Sequence, residues 1–121
     1  KKAIYAAHAE RPIDLMVNMH NTETAEYLDT MVDDEPGQAK LQRLFGRLVA
    51  ETSFDPSRKL GISVVPGNTT NILWPERRVP VALMEQRVGP SAKLGRLPTT
   101  ADRLAFGRQL LEQMAATVRT P

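Results

Sequence analysis

The stretch IDLMVNMH, residues 13–20, decides how the chain is read. Ile13, Leu15, Val17 and Met19 fall on one side of a two-residue repeat, and Asp14, Met16, Asn18 and His20 on the other. That alternation predicts a strand with one wholly apolar face and one partly polar face. A histidine ends the run, and Asn21-Thr22-Glu23 follows with turn and N-cap chemistry, so the reading continues into a short helical first turn. Strand ends of this kind are where open α/β sheets keep their chemistry.

Outward from this strand the pattern alternates between element types. Residues 2–9 (KAIYAAHA) favour helix, as the last turns of an element cut short at its start, and Arg11-Pro12 stops them. DDEPGQAK, residues 33–40, reads as a loop around Pro36-Gly37. Leu41, Leu44, Phe45, Leu48 and Val49 then mark an amphipathic helix. A loop over 52–61 leads to a short strand at 62–65, and PGNTTNILWPERR (66–78) reads as a long irregular connection. Val79 to Val88 is a second strand, with Pro80 tolerated at its start. After a loop, a helix over about 101–118 closes the chain, with Leu104, Gly107, Leu111, Met114 and Val118 as its buried stripe and Thr99 and Asp102 as a loose capping box. The order predicts an α/β class: part of a mixed β-sheet flanked by helices, ending in a long C-terminal helix.

Composition narrows the function classes. The 121 residues suit one domain with a modest core. Lys and Arg number 16 against 14 Asp and Glu, and the net +2 is too small to imply nucleic acid or an anionic membrane. No apolar run approaches the ~20 residues of a bilayer span. With no cysteine, disulfide and thiolate chemistry are excluded. The chain starts at Lys1-Lys2 rather than Met, which reads as a processed or trimmed start.

Two residues stand out as chemistry. His20 at a strand end is in the position of a rigidly held metal ligand, or of an imidazole hydrogen-bonded at a sheet edge. HNTE, residues 20–23, fits His-x-x-Glu, but without a second downstream histidine the chain has no complete zinc set of its own. Glu85 shares a strand face with Val79, Val81 and Leu83. A carboxylate among aliphatic side chains is costly unless paired, and desolvation suits such a group to general-base work. The bland alternative pairs Glu85 with Arg87 or Arg96, or lets it reach water. A His and a Glu on separate strands of one sheet favour a metal-plus-base site. Asp14 and Asn18, on the His20 side of the strand, are candidates to orient its ring. Trp74 reads as a core plug or a pocket wall, and the Asp29, Asp33, Asp34, Glu35 group as a solvated loop or a cation site. Arg77-Arg78 reads as surface or an anion contact.

NMHNTETAEY, followed about sixty residues later by VPVALMEQRVG and LGRLPTTADRLAFGRQLLEQM, resembles the C-terminal half of zinc carboxypeptidases of the carboxypeptidase A type. The resemblance covers nearly the whole chain. It implies that His20 is the third zinc ligand, that Glu85 is the general base, and that Gly95 to Thr99 leads into the final helix. It also implies zinc as cofactor, a peptide or amide substrate, and the remaining ligands and substrate-carboxylate arginines in a missing N-terminal segment. The substrate-capping tyrosine of that family would fall between Val65 and Trp74, where this chain has none, so substrate class does not carry over. On this reading residues 1–121 are one α/β domain or the C-terminal portion of a larger carboxypeptidase-like domain, inactive alone. The compartment stays open, with export implied by the resemblance alone. The rival is a non-catalytic α/β module acting through protein contacts. Either way an uncovered sheet edge and helix face predict self-association or a missing partner segment.

Overall fold

The structure is a computed structural model that describes residues 1–63 and 69–120. Eight elements run in the order α1 (Lys2–Glu10), β1 (Met16–Thr22), β2 (Tyr27–Thr30), α2 (Glu35–Glu51), β3 (Gly61–Ile62), α3 (Thr69–Arg77), β4 (Val81–Arg87) and α4 (Thr100–Arg119). The four strands form one mixed sheet in the order β1-β4-β2-β3. β4 runs parallel to β1 and antiparallel to β2, and β2 runs parallel to β3. The expected α/β class and the long C-terminal helix are therefore present. Among the described residues no helix is long and apolar enough to cross a membrane.

Each sheet face has its own apolar layer. Leu28, Ala82 and Met84 pack against Leu41, Leu44 and Leu48 of α2 and Phe106 and Leu110 of α4. On the other face Val79, Val81 and Leu73 pack with Ile4, Tyr5, Ile13 and Met16, which brings α1 and α3 against the sheet. Burying a leucine-sized side chain contributes about 1.5–3 kcal/mol, so the first and larger layer dominates the fold's stability.

Several elements depart from the sequence reading. Residues 27–30 form a strand rather than continuing a helical turn. Its Leu28 and Thr30 are fully buried, and Thr30 Oγ1 donates to the Val81 carbonyl at 2.7 Å while accepting from the Val32 amide at 3.1 Å. Helix α2 begins six residues earlier than its apolar stripe, inside the expected loop. Asp34 caps it by accepting from the Gly37 amide at 2.8 Å, and Pro36 lies in the first turn, where a missing N–H costs nothing. Gly37 is required there, because a Cβ would come within 2.4 Å of Val32 Cγ1. Helix α3 occupies part of the expected irregular connection and carries Pro75 within it. It ends at Arg78 in the left-handed region (φ 54°), whose amide donates to the Trp74 carbonyl at 2.8 Å. The expected strand at 62–65 is described only as Gly61–Ile62, since Val64 and Val65 lie outside the described residues.

Helix α4 keeps its expected capping box, in which Thr99 Oγ1 accepts from the Asp102 amide and Asp102 accepts from the Thr99 amide. Arg96 beside Asp102, with Thr99, holds that carboxyl well below the usual range. Of the helix's expected buried stripe, Met114 packs against the core, but most of the stripe does not. Phe106, Leu110 and Thr117 face the core, whereas Leu104 (69% exposed), Leu111 (67%) and Val118 (37%) face outward. The helix carries two apolar stripes, and the sheet selects the one bearing Phe106, the larger anchor.

Candidate active site on the open sheet face

Parallel pairing of β1 with β4 sets His20 directly opposite Glu85, in the register Asn18↔Leu83, Met19↔Met84, His20↔Glu85. Neighbouring strands lie about 4.8 Å apart, and side chains at paired positions leave the same face. His20 and Glu85 are therefore side by side at the C-terminal ends of two parallel strands. Their face is the one bearing Met16 and Val81, which α1 and α3 cover lower down. His20 itself is exposed, so among the described residues this end of the face is open.

Glu85 is partly buried, and its Oε2 is buried without a hydrogen-bond partner among the described residues. Neither cation of the bland reading engages it. Arg87 lies 3.9 Å from Asp55 and donates to the Pro90 carbonyl, and Arg96 pairs with Asp102 at 2.6 Å. That oxygen is thus covered by neighbouring protein atoms and has no donor among the described residues.

The candidate orienting residues separate. Asn18 lies two positions before His20 on the same face, one strand repeat away. Asp14 lies before β1 begins, and Met16 to His20 alone spans about 13 Å at strand rise, which removes Asp14 from reach of the ring. The exposed Asp14 instead lines, with Pro12, Ile13, Leu15, Met114 and Val118, an apolar groove of about 540 Å³ at the opposite end of β1.

The remaining candidates have structural roles. Trp74 is a core plug whose Nε1 donates to Asp33 Oδ1 at 2.8 Å, with Arg78 5.1 Å from its ring. Arg77 lies 4.5 Å from the Tyr5 ring. The four acids act separately: Asp29 pairs with Arg58, Asp33 with Trp74 and Arg78, Asp34 caps α2 and Glu35 sits in its first turn. His8 Nδ1 accepts from the Ile13 amide at 3.0 Å, closing the turn after α1.

Three residues share the open face that the sequence reading did not group with it. Tyr27 is the β2 partner of Glu85, and Asp29 is the partner of Leu83. Arg58 reaches over from the loop before β3, with its guanidinium 4.1 Å from the Tyr27 ring centre and Nη2 donating to Asp29 Oδ2 at 2.7 Å. The row across the sheet thus reads His20, Glu85, Tyr27, with Arg58 above the last. A further carboxylate, Glu26, is buried on the other side of the β1–β2 turn, where it accepts from the Asp55 amide at 2.9 Å. Burial pushes its carboxyl up, against the opposing pull of that amide.

His20 is exposed beside Glu85 and on its own offers a single imidazole. Among the described residues no three His, Cys, Asp or Glu side chains group closely enough to hold a metal ion. No protein-family model, curated protein or solved structure matches the chain.

Proposed function

We propose that the chain is the C-terminal part of a zinc-dependent metallocarboxypeptidase, a hydrolase of peptide or amide bonds. The observation that carries this is the register pair His20↔Glu85 at the C-terminal edge of two parallel strands, on a face left open at that end. On this reading His20 is one ligand of the metal, with the others coming from a segment outside these residues. Bound zinc would supply Lewis acidity towards the scissile carbonyl and the attacking water. Glu85 accepts a proton from that water as its oxygen bonds to the carbonyl carbon. When the C–N bond breaks, Glu85 returns the proton to the leaving nitrogen, so a carboxylic acid, which keeps the water's other proton, and an amine are released and the base is regenerated.

The test is hydrolysis of a panel of N-acyl amino acids by the native gene product. Glu85→Gln should lower kcat by at least about a hundredfold, as expected when a positioned base is removed, and His20→Ala should abolish turnover. Equal activity in the wild type and Glu85→Gln would end the reading. The alternative, a non-catalytic module acting through protein contacts, draws on the outward-facing Leu104, Leu111 and Val118 of α4.

A further inference from the structure

The open face carries a positive station next to Glu85. Arg58 Nη2 donates to Asp29 Oδ2 at 2.7 Å, Nη1 lies 2.6 Å from Oδ1, and the guanidinium carbon lies 4.1 Å from the Tyr27 ring centre, a cation–π contact. Gly61, the β3 partner of Asp29, makes room for the pair, since a Cβ there would come within 2.1 Å of Arg58 Nη1 and 2.3 Å of Asp29 Oδ1. The two partners are unequally covered: the Asp29 side chain is 14% exposed and that of Arg58 45%. Asp29 thus anchors a guanidinium whose side chain stays accessible and whose five donors are not exhausted by one carboxylate. A guanidinium held by a carboxylate and a ring has given up its rotamer freedom before a ligand arrives, which lowers the cost of binding. Tyr27, the register partner of Glu85, sets one side chain's width between that carboxylate and the cation. Glu85 and Asp29 are the acids of this face; Asp29 is engaged by Arg58, and the spacing limits repulsion between Glu85 and an incoming anion.

We propose that Arg58 recognises a side-chain carboxylate of the substrate, so that the bond opened beside Glu85 belongs to an acidic amino-acid residue. This rests on the peptidase reading for the bond opened, but not for the binding itself. The test titrates the chain with N-acetyl-glutamate and with N-acetyl-glutamine, the isostere that keeps the α-carboxylate but has a neutral side chain, followed by backbone amide NMR shifts. The acid should bind about tenfold more tightly, the scale of one charge-assisted contact, with the largest shifts at Tyr27 and Asp29. Arg58→Gln should remove the preference. Should that variant fail to fold by circular dichroism, Arg58→Lys keeps the charge without the two-pronged geometry and should weaken the preference several-fold. Equal affinities for the two probes, or a preference that survives in folded Arg58→Gln or is unchanged in Arg58→Lys, would overturn the inference. Acid-selective binding by a gene product that opens no N-acyl-glutamate amide would leave Arg58 as the anion site and remove the peptidase reading. Hydrolysis without acid preference would do the reverse.

Discussion

Replacing Gly61 with alanine tests how the charged side of the open face is assembled. The added methyl would lie 2.1 Å from Arg58 Nη1, 2.3 Å from Asp29 Oδ1 and 3.3 Å from Arg58 Cζ, so the three nearest atoms all belong to one ion pair. The backbone of β3 is hydrogen-bonded to β2, whereas Arg58 is a long and flexible side chain, so the pair gives way first. A partly exposed ion pair contributes about 0.5–1 kcal/mol. Leaving the mostly covered Asp29 carboxylate short of its partner costs about 1–3 kcal/mol more. Stiffening of the unfolded chain by alanine returns about 0.4–1 kcal/mol. The net loss is about 0.5–3.5 kcal/mol, or roughly 2–14 °C in Tm for 121 residues. Urea unfolding followed by circular dichroism measures it directly. The control is the same substitution in an Asp29→Ala, Arg58→Ala background, where the three nearest atoms are gone and Gly61→Ala should be neutral or slightly stabilising. An equal loss in both backgrounds would mean that the glycine serves the backbone and not the ion pair, and the reasoning would fail.

Two further perturbations probe the rest of the fold. Burial raises the Glu26 carboxyl above its ordinary value of 4.5, so the folded chain holds that proton after the unfolded chain has released it. Its contribution is then fully present below pH 4.5 and is lost as pH rises through the raised value. Glu26→Gln, which keeps an acceptor for the Asp55 amide, should flatten that part of the stability–pH curve; a wild-type curve with no fall above pH 4.5, or a variant with the same fall, would contradict the assignment. On α4, Leu110→Ala should cost about 2–4 kcal/mol and Leu111→Ala less than about 0.5 kcal/mol, since Leu110 is buried and Leu111 is 67% exposed. A reversed order in chemical denaturation would place the other stripe against the sheet.

The contrast between these two leucines shows what the sequence could and could not reveal. β1, the core of α2, β4 and α4 were legible because each carries a long enough period-two or helical pattern, and α4 its capping box. The choice between two apolar stripes on α4 was not legible, because it depends on which one the sheet covers. β2 is four residues long, too short for its alternation to stand out, and owes its place to pairing with β4 on one side and β3 on the other. α3 was hidden by Pro75 and the turn-forming residues before it. His20 and Glu85 could be picked out singly, as a polar group ending an apolar strand and an acid in an aliphatic row. Their adjacency is a matter of register, and the contribution of Arg58 depends on a loop folding back over Tyr27 from thirty residues away, beyond any local pattern.

The most direct test of the proposed metal-plus-base site is the zinc content of the purified native gene product and of two variants. The account predicts close to one zinc per chain in the wild type, retention in Glu85→Gln, and loss in His20→Ala, because removing one of three protein ligands weakens the site by orders of magnitude. A wild-type product without zinc, or a His20→Ala variant that keeps it in full, would contradict the account and leave His20 as a solvent-facing residue at a strand end.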